Sequence, residues 1–497
     1  MTTLIKNGQI YDGTGSVPVQ KDILIRGGRI ARIGSLSRAH AAHVIDATGM
    51  MVTPGFIDVT SHSDHHMSIF YEPYQEDAIR QGVTTIIGGN CGVSLAPLIS
   101  GSMESIQEWG SELHTNINWQ SVKQFLALIE KRKLGVNFGM LVGHTTIRRA
   151  LTKNTFRDLT ESELRAFVHI VSTAMKEGAL GLSTGLEHTH ASRTPYHELL
   201  SLVRVVAKHN GVYATHLRNT HDGLLQSIQE TIDIAKETHA SIEIVHLQPQ
   251  RSHRGRYEEV AEILRKESSK LHINFDVNTF DSTPQLIYEL LPEWSREESL
   301  EIMRAHIGTT TAEARLIPYF KENAPRDCII THVPIASLKF LEGKSIREYG
   351  LRAGLTYEKA IIAIMKLTHL RATIATKTVD TGLLASYISH PNCIISSNSA
   401  SFGKKEFKYT PSTETFPTFL RYVADSNIIS MESAIEKITS LPAHKYGLGK
   451  RGIIKEGYAA DIAIHNNFEP THVFVNGVHT LRDGNVVRVM GGAVIRH

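Results

Sequence analysis

The chain has 497 residues, with 53 lysines and arginines against 50 aspartates and glutamates for a formal charge of +3, and it is 41% hydrophobic and 21% charged. This composition suits a large buried core, excludes a disordered tail protein and carries no electrostatic footprint for nucleic acid. No apolar run reaches the roughly 18 residues of a membrane span, and Cys91, Cys328 and Cys393 are too few for a disulfide framework. The first residues, MTTLIKNGQIYDGTG, alternate like a strand and lack the basic-then-apolar layout of a leader. The expectation is a soluble, cytoplasmic protein.

From Leu4 to about Val52, short alternating runs are broken by Asn-Gly and Gly-Gly turns, the grammar of β-hairpins. The same grammar returns near the other end in GYAADIAIHN, HVFVNGVHTLRDGNVVRV and AVIRH. Neither piece encloses a core alone, so residues 1–53 and 451–497 are predicted to fold together as a composite β-sandwich. Residues 54–450 are then an insertion. Within it, FIDVTS, VTTIIGG, NFGMLVG, ALGLSTG, VYATHL, SIEIVHL, HINFDV and CIISS read as strands. Helix-period segments such as ESELRAFVHIVSTAMKEG and DGLLQSIQETIDIAKETH separate several of them, the second opening on Asp222 as an N-cap candidate. Strand–helix alternation implies parallel pairing, and eight strands imply an α/β fold of the (β/α)₈ barrel type. Residues about 284–345 hold more helix than one crossover needs and are predicted to form a lid or subdomain.

Catalytic groups of such barrels sit at the C-terminal ends of the strands. There this chain carries Thr60, His62 and Asp64; Asn90 and Cys91; His144; Ser183, Thr184 and Glu187; His216 and Arg218; His246; Asp276 and Asn278; Ser397 and Asn398. Cys91, His216 and His246 supply one thiolate and two imidazoles from three strands, and a catalytic zinc needs three protein ligands and one open position. Cys328 and Cys393 read as buried structural thiols. His332, with His188 and His190, is a further metal candidate, and His65 and His66 are expected in a loop over the barrel mouth, either solvated or in contact with substrate.

The motifs carry a family resemblance. PGFIDVTSHSD (54–64) resembles the first-strand motif of the amidohydrolase superfamily, and GVTTIIGGNCGVSLAP (82–97) is similar to the signature of its D-aminoacylase branch, the N-acyl-D-amino-acid deacylases. LVGHTTIR, EGALGLSTGLE, ATHLRN, ETFPTFLRY and KEGYAADIAIHN resemble the same branch in the same order, so the likeness spans nearly the whole chain. It implies a TIM-like barrel carrying a composite β-sandwich, with one Zn²⁺ per chain on Cys91, His216 and His246.

Several positions depart from that pattern. The family's first-strand His-x-His is Thr60-Ser61-His62, although Asp64 is retained. Its eighth strand ends Ser-Asp-Gly, the aspartate serving as acid/base, whereas this chain reads Ser397-Asn398-Ser399. An amide cannot take or deliver the proton, a service worth about 10²–10⁴-fold. The family's His-Leu-Lys, whose lysine helps hold the substrate α-carboxylate, becomes His246-Leu247-Gln248. His188 replaces a tyrosine after STGLE, Arg218-Asn219-Thr220 replaces Arg-Asn-Glu, and no His-Pro-Arg motif is recognisable in FKYTPSTETFP.

The resemblance therefore implies a zinc-dependent amidohydrolase-like enzyme acting on an amide C–N bond of an N-acyl amino acid or peptide-like small molecule. The carboxylate of that molecule is expected to be absent, masked or part of an amide. Asn398, Asp64, His62 and His188 are the candidate catalytic residues, with Asp276 a further base, and Gln248, Arg218, His144 and Ser397 are candidates for substrate binding. Cyclisation, condensation or acyl transfer is the alternative chemistry, and a zinc-retaining pseudoenzyme is the alternative class. A monomer or homodimer is expected, with a small molecule as partner and neither nucleic acid nor membrane.

Overall fold

A computed structural model describes residues 2–99, 117–153, 155–188, 190–268, 270–296, 300–403 and 407–497. The eight predicted runs are the eight strands of one parallel sheet: Phe56–Asp58, Val83–Gly88, Asn137–Gly143, Gly181–Gly185, Val212–His216, Ser241–Ile244, Ile273–Val277 and Cys393–Ile395. Each pairs with the next in sequence, and a parallel bridge between Ser61 and Ser399 brings the first and last together, leaving the barrel nearly closed. Helices surround it. Glu161–Lys176 opens on a capping box in which Thr160 and Glu163 satisfy each other's backbone N–H groups. Leu224–Thr238 has no such cap: the Asp222 carboxylate instead accepts from Arg256 at 2.6 Å, so the expected N-cap is diverted to an ion pair.

Both chain ends build a separate nine-stranded sheet. Its seam is Met51–Pro54, parallel to Thr2–Ile10 on one side and antiparallel to Ile462–Asn466 on the other. Ile5, Ile23 and Val52 from one end pack with Ile462, Ile464 and Phe474 from the other in a single apolar cluster, so the two halves share this core. The AVIRH segment does not join this sheet. Its backbone runs beside the third barrel strand, where Phe138 N–H donates to the Ala493 carbonyl at 3.0 Å and Ile495 N–H to the Phe138 carbonyl at 2.8 Å. The alternation predicts a strand of the terminal β-domain here, but the segment forms only an isolated bridge, Val494 with Phe138, at the barrel's lower rim.

Between the seventh and eighth barrel strands the chain forms a three-stranded antiparallel sheet, Thr283–Leu286, Thr373–Thr376 and Cys328–His332, with Thr373–Thr376 in the middle. Helices including Thr310–Asn323 and Tyr357–Leu367 pack on it over an apolar cluster of its own, with Leu316, Phe320, Ile330, Ile361 and Ile374 fully buried. The central strand lies beyond residue 345, so this insert is longer than its helix-rich portion. Among the described residues no helix is long and apolar enough to cross a membrane.

Candidate active site

The GGNCG turn after the second barrel strand is built for close approach. A Cβ on Gly88 would meet the Asp64 carboxyl carbon at 2.9 Å, and one on Gly89 (φ 77°) would lie 2.0 Å from the Leu141 carbonyl oxygen. The Asn90 amide then donates to the Val59 and Ile87 carbonyls at 3.1 and 3.0 Å, fixing the turn that presents Cys91. Cys91, His246 and Asn398 all sit at positive φ (49°, 39° and 47°), each just past a barrel strand. Non-glycine residues rarely adopt this region, and such strain concentrates at functional sites.

Cys91, His216 and His246 each offer a ligand atom, all within 4.8 Å of one another. Cys91 Sγ is 3.4 Å from His246 Nε2, and the two imidazoles stand perpendicular with centroids 4.4 Å apart. Behind them, His216 Nε2 meets Glu187 at 3.1 Å, while the His246 backbone N–H donates to Asp276 Oδ1 at 3.1 Å. Burial raises the Glu187 carboxyl, but hydrogen bonds from His216 and His221 outweigh it and hold the group well below the usual carboxylate range. Burial and then His216 push His246 far below the ordinary imidazole value, which keeps it in the neutral, ligating form. Burial, with Asp276, Glu289 and Asp64, pushes the Cys91 thiol up, so a neighbouring cation is what would make it a thiolate. His216 Nδ1 is buried with no hydrogen-bond partner. One sulfur, two imidazoles, an orphaned nitrogen and a carboxylate behind one ring fit a zinc ion.

Cys91, His216 and His246 line a cavity at the barrel mouth. His62, His188 and Asn398 line it from the barrel, and Leu286, Glu289, Thr331 and His332 from the insert, with Phe402 and Tyr409 following the eighth strand. Among the described residues no lysine or arginine lines it. His188 Nδ1 is 3.2 Å from Glu289 Oε1, and its ring lies 4.8 Å from that of His216. His62 Nε2 contacts Asn398 Oδ1 at 2.7 Å, and its Nδ1 contacts His65 Nδ1 at 3.0 Å. Burial drives His62 down to about 3 and His65 down to about 4.

The remaining predicted site residues lie outside the cavity lining. Asp64 accepts from Gly89 N–H at 2.7 Å, and burial raises it to about 6. Asp276, raised by burial to about 7, also accepts from Thr60 Oγ1 at 3.0 Å. Gln248 is tied to Asn278. Arg218 is held by both Glu230 oxygens and by the Ser192 and Thr194 carbonyls. His144 Nε2 pairs with Glu198 at 2.8 Å, and Ser397 Oγ donates to Asp58 at 2.6 Å. His190 stacks on Phe156 instead of joining His188 and His332. Cys328 and Cys393 are fully buried. Sequence reasoning does not find Glu289, Leu286, Phe402 or Tyr409, because nothing local marks the residues that the insert and the turn after the eighth strand bring to the barrel mouth.

No protein-family model matches the chain. It is 29% identical over 476 residues to N-acyl-D-aspartate deacylase of Alcaligenes xylosoxydans xylosoxydans, covering 95% of this chain and 86% of that one. To D-aminoacylase of the same organism it is 28% identical over 479 residues, covering 95% and 88%. Among solved structures, N-acyl-D-glutamate deacylase of Bordetella bronchiseptica, complexed with zinc and a phosphonate inhibitor, superposes with a TM-score of 0.84 at 25% identity, covering 100% of this chain and 99% of that one. These relatives and this structural neighbour are D-aminoacylases and N-acyl-D-amino-acid deacylases of the amidohydrolase superfamily. A D-aminoacylase structure described as having a binuclear metal centre shares the fold, with a TM-score of 0.81 at 24% identity over 100% of this chain and 99% of that one. D-aminoacylases are hydrolases of C–N amide bonds. The barrel, the terminal sheet and the insert therefore all belong to a D-aminoacylase architecture.

Proposed function

We propose that the protein is a zinc-dependent amidohydrolase that cleaves the amide bond of an N-acyl amino acid derivative or related peptide-like small molecule whose carboxylate is masked. The observation that carries this reading is the convergence of Cys91, His216 and His246, with one imidazole nitrogen unpartnered, at the mouth of a barrel whose relatives are N-acyl-D-amino-acid deacylases. Zinc bound there would supply a polarised carbonyl and a water whose pKa falls to about 7. The chain's own residues do the rest. The acid that faces the site is Glu289, which orients His188 so that the imidazole moves the proton that Asn398 cannot. Asn398, held through its carbonyl oxygen by His62, positions by hydrogen bonding only. The position at which the family resemblance implies a carboxylate-holding lysine is Gln248, bound to Asn278 outside the cavity lining, which supports a substrate without a free α-carboxylate.

The test is zinc per chain by elemental analysis, followed by a hydrolysis screen of N-acyl amino acids of both hands, their amides and their cyclic forms. About one zinc per chain and turnover of an amide that stops in Cys91→Ser is the expected result. Absence of zinc uptake would sink the reading.

A further inference from the structure

Two more imidazoles line the same cavity from different parts of the fold. His66 follows the first barrel strand, and His332 ends the insert strand Cys328–His332. Their rings stand 4.5 Å apart at 78°, close to the 4.4 Å and 89° of His216 and His246. The two side chains belong to residues only 9% and 6% exposed, and His66 Nδ1 and His332 Nε2 are buried with no hydrogen-bond partner. Glu342 Oε1 lies 3.4 Å from His332 Nδ1, the far nitrogen, on the side where Glu187 hydrogen-bonds His216, though here at ion-pair distance without that bond. A carboxylate in that position orients an imidazole whose other nitrogen binds a metal. Phe402 packs against both rings, at 5.2 and 5.8 Å, and fixes their planes.

We propose that His66 and His332 form a second site for a divalent transition metal of the zinc and cobalt class, separate from the Cys91 cluster and with its other coordination positions open to the cavity. Imidazole suits these ions. Among the described residues the only group of three converging ligands is Cys91, His216 and His246, so the second ion has two protein ligands and exchanges more readily. Lys339, 2.8 Å from Glu342 and 3.5 Å from His332 Nδ1, and Arg371 both oppose a cation there, which weakens the site further. A bound ion would also tie the insert to the barrel, because one ligand comes from each.

Titrating the metal-free, full-length protein with cobalt(II) and following visible absorption separates the two sites. Cobalt on the Cys91 cluster gives a sulfur-to-metal charge-transfer band, whereas cobalt on two imidazoles adds ligand-field absorption alone. The first equivalent is expected to bring the charge-transfer band and the second to add none. His332→Phe and His66→Phe should each abolish the second equivalent and keep the first, whose band also reports that the variant is folded. Saturation of the wild type after one equivalent, or a second equivalent that survives in both variants, would overturn the proposal. A histidine-dependent equivalent without any charge-transfer band would support this site while refuting zinc on Cys91.

Discussion

Gln248 and Asn278 hold each other: Gln248 Nε2 donates to Asn278 Oδ1 at 3.0 Å, and the Asn278 backbone N–H donates to Gln248 Oε1 at 3.1 Å. Gln248 is 2% exposed, and its amide also reaches the Asn278 carbonyl at 3.2 Å. Restoring the family's lysine here would bury an ammonium and strip Asn278 N–H of its acceptor. Gln248→Lys is therefore expected to cost about 2–4 kcal/mol of stability and to confer no binding of free N-acyl amino acids. Denaturant unfolding and a calorimetric titration check the two halves.

Cys91→Ser removes the sulfur from the three-ligand cluster and leaves the two imidazoles. The variant should lose tightly held zinc, and any amidase activity should drop at least ~100-fold. Elemental analysis after dialysis against a chelator reads the first effect directly; retention of wild-type zinc would refute the ligand assignment.

His188 and Glu289 should act as a pair. His188→Gln is expected to lower kcat by about 10²–10⁴-fold and Glu289→Gln by less, both with unchanged zinc content. The double variant should be little worse than His188→Gln alone, since the acid works through the imidazole. Additive losses would separate the two roles.

Arg218 makes four hydrogen bonds to Glu230, Ser192 and Thr194 and is about one quarter exposed. Arg218→Ala should therefore act on stability, by about 1–3 kcal/mol, and leave the KM of whatever substrate is found within about twofold, because the side chain lies outside the cavity lining.

His465 is 1% exposed, stacks on Phe56 and meets Thr53 Oγ1 at 3.1 Å. Burial lowers it from 6.5 to about 4. A depressed imidazole stabilises the fold above its unfolded value and loses that contribution as pH falls from about 6.5 through 4, by up to about 3 kcal/mol. His465→Phe should accordingly lose less stability than the wild type between pH 7 and pH 4. Equal acid sensitivity of the two proteins would refute the assignment.

The eight barrel strands were legible because each is a short apolar run of the length a doubly covered strand requires, with polar residues starting where the run ends. The zinc-ligand candidates were legible for the same reason: Cys91, His216 and His246 stand at those ends. What a linear pattern does not encode is the direction of a side chain past the strand. His144, Arg218, Gln248 and Ser397 occupy equivalent places, yet each finds a protein partner nearer than the cavity. Glu289 was invisible because its approach to His188 depends on how the insert's sheet closes, through pairings between strands nearly 90 residues apart.

The insert's separate apolar cluster has a consequence for how the cavity can be altered. The turns that carry Cys91, His216 and His246 rest on the barrel's packing, whereas Leu286, Glu289, Thr331 and His332 rest on that of the insert. Substitutions inside one cluster disturb the other little. Remodelling the insert's core can therefore reshape the part of the cavity that carries Glu289 and His332 while leaving the packing under Cys91, His216 and His246 in place.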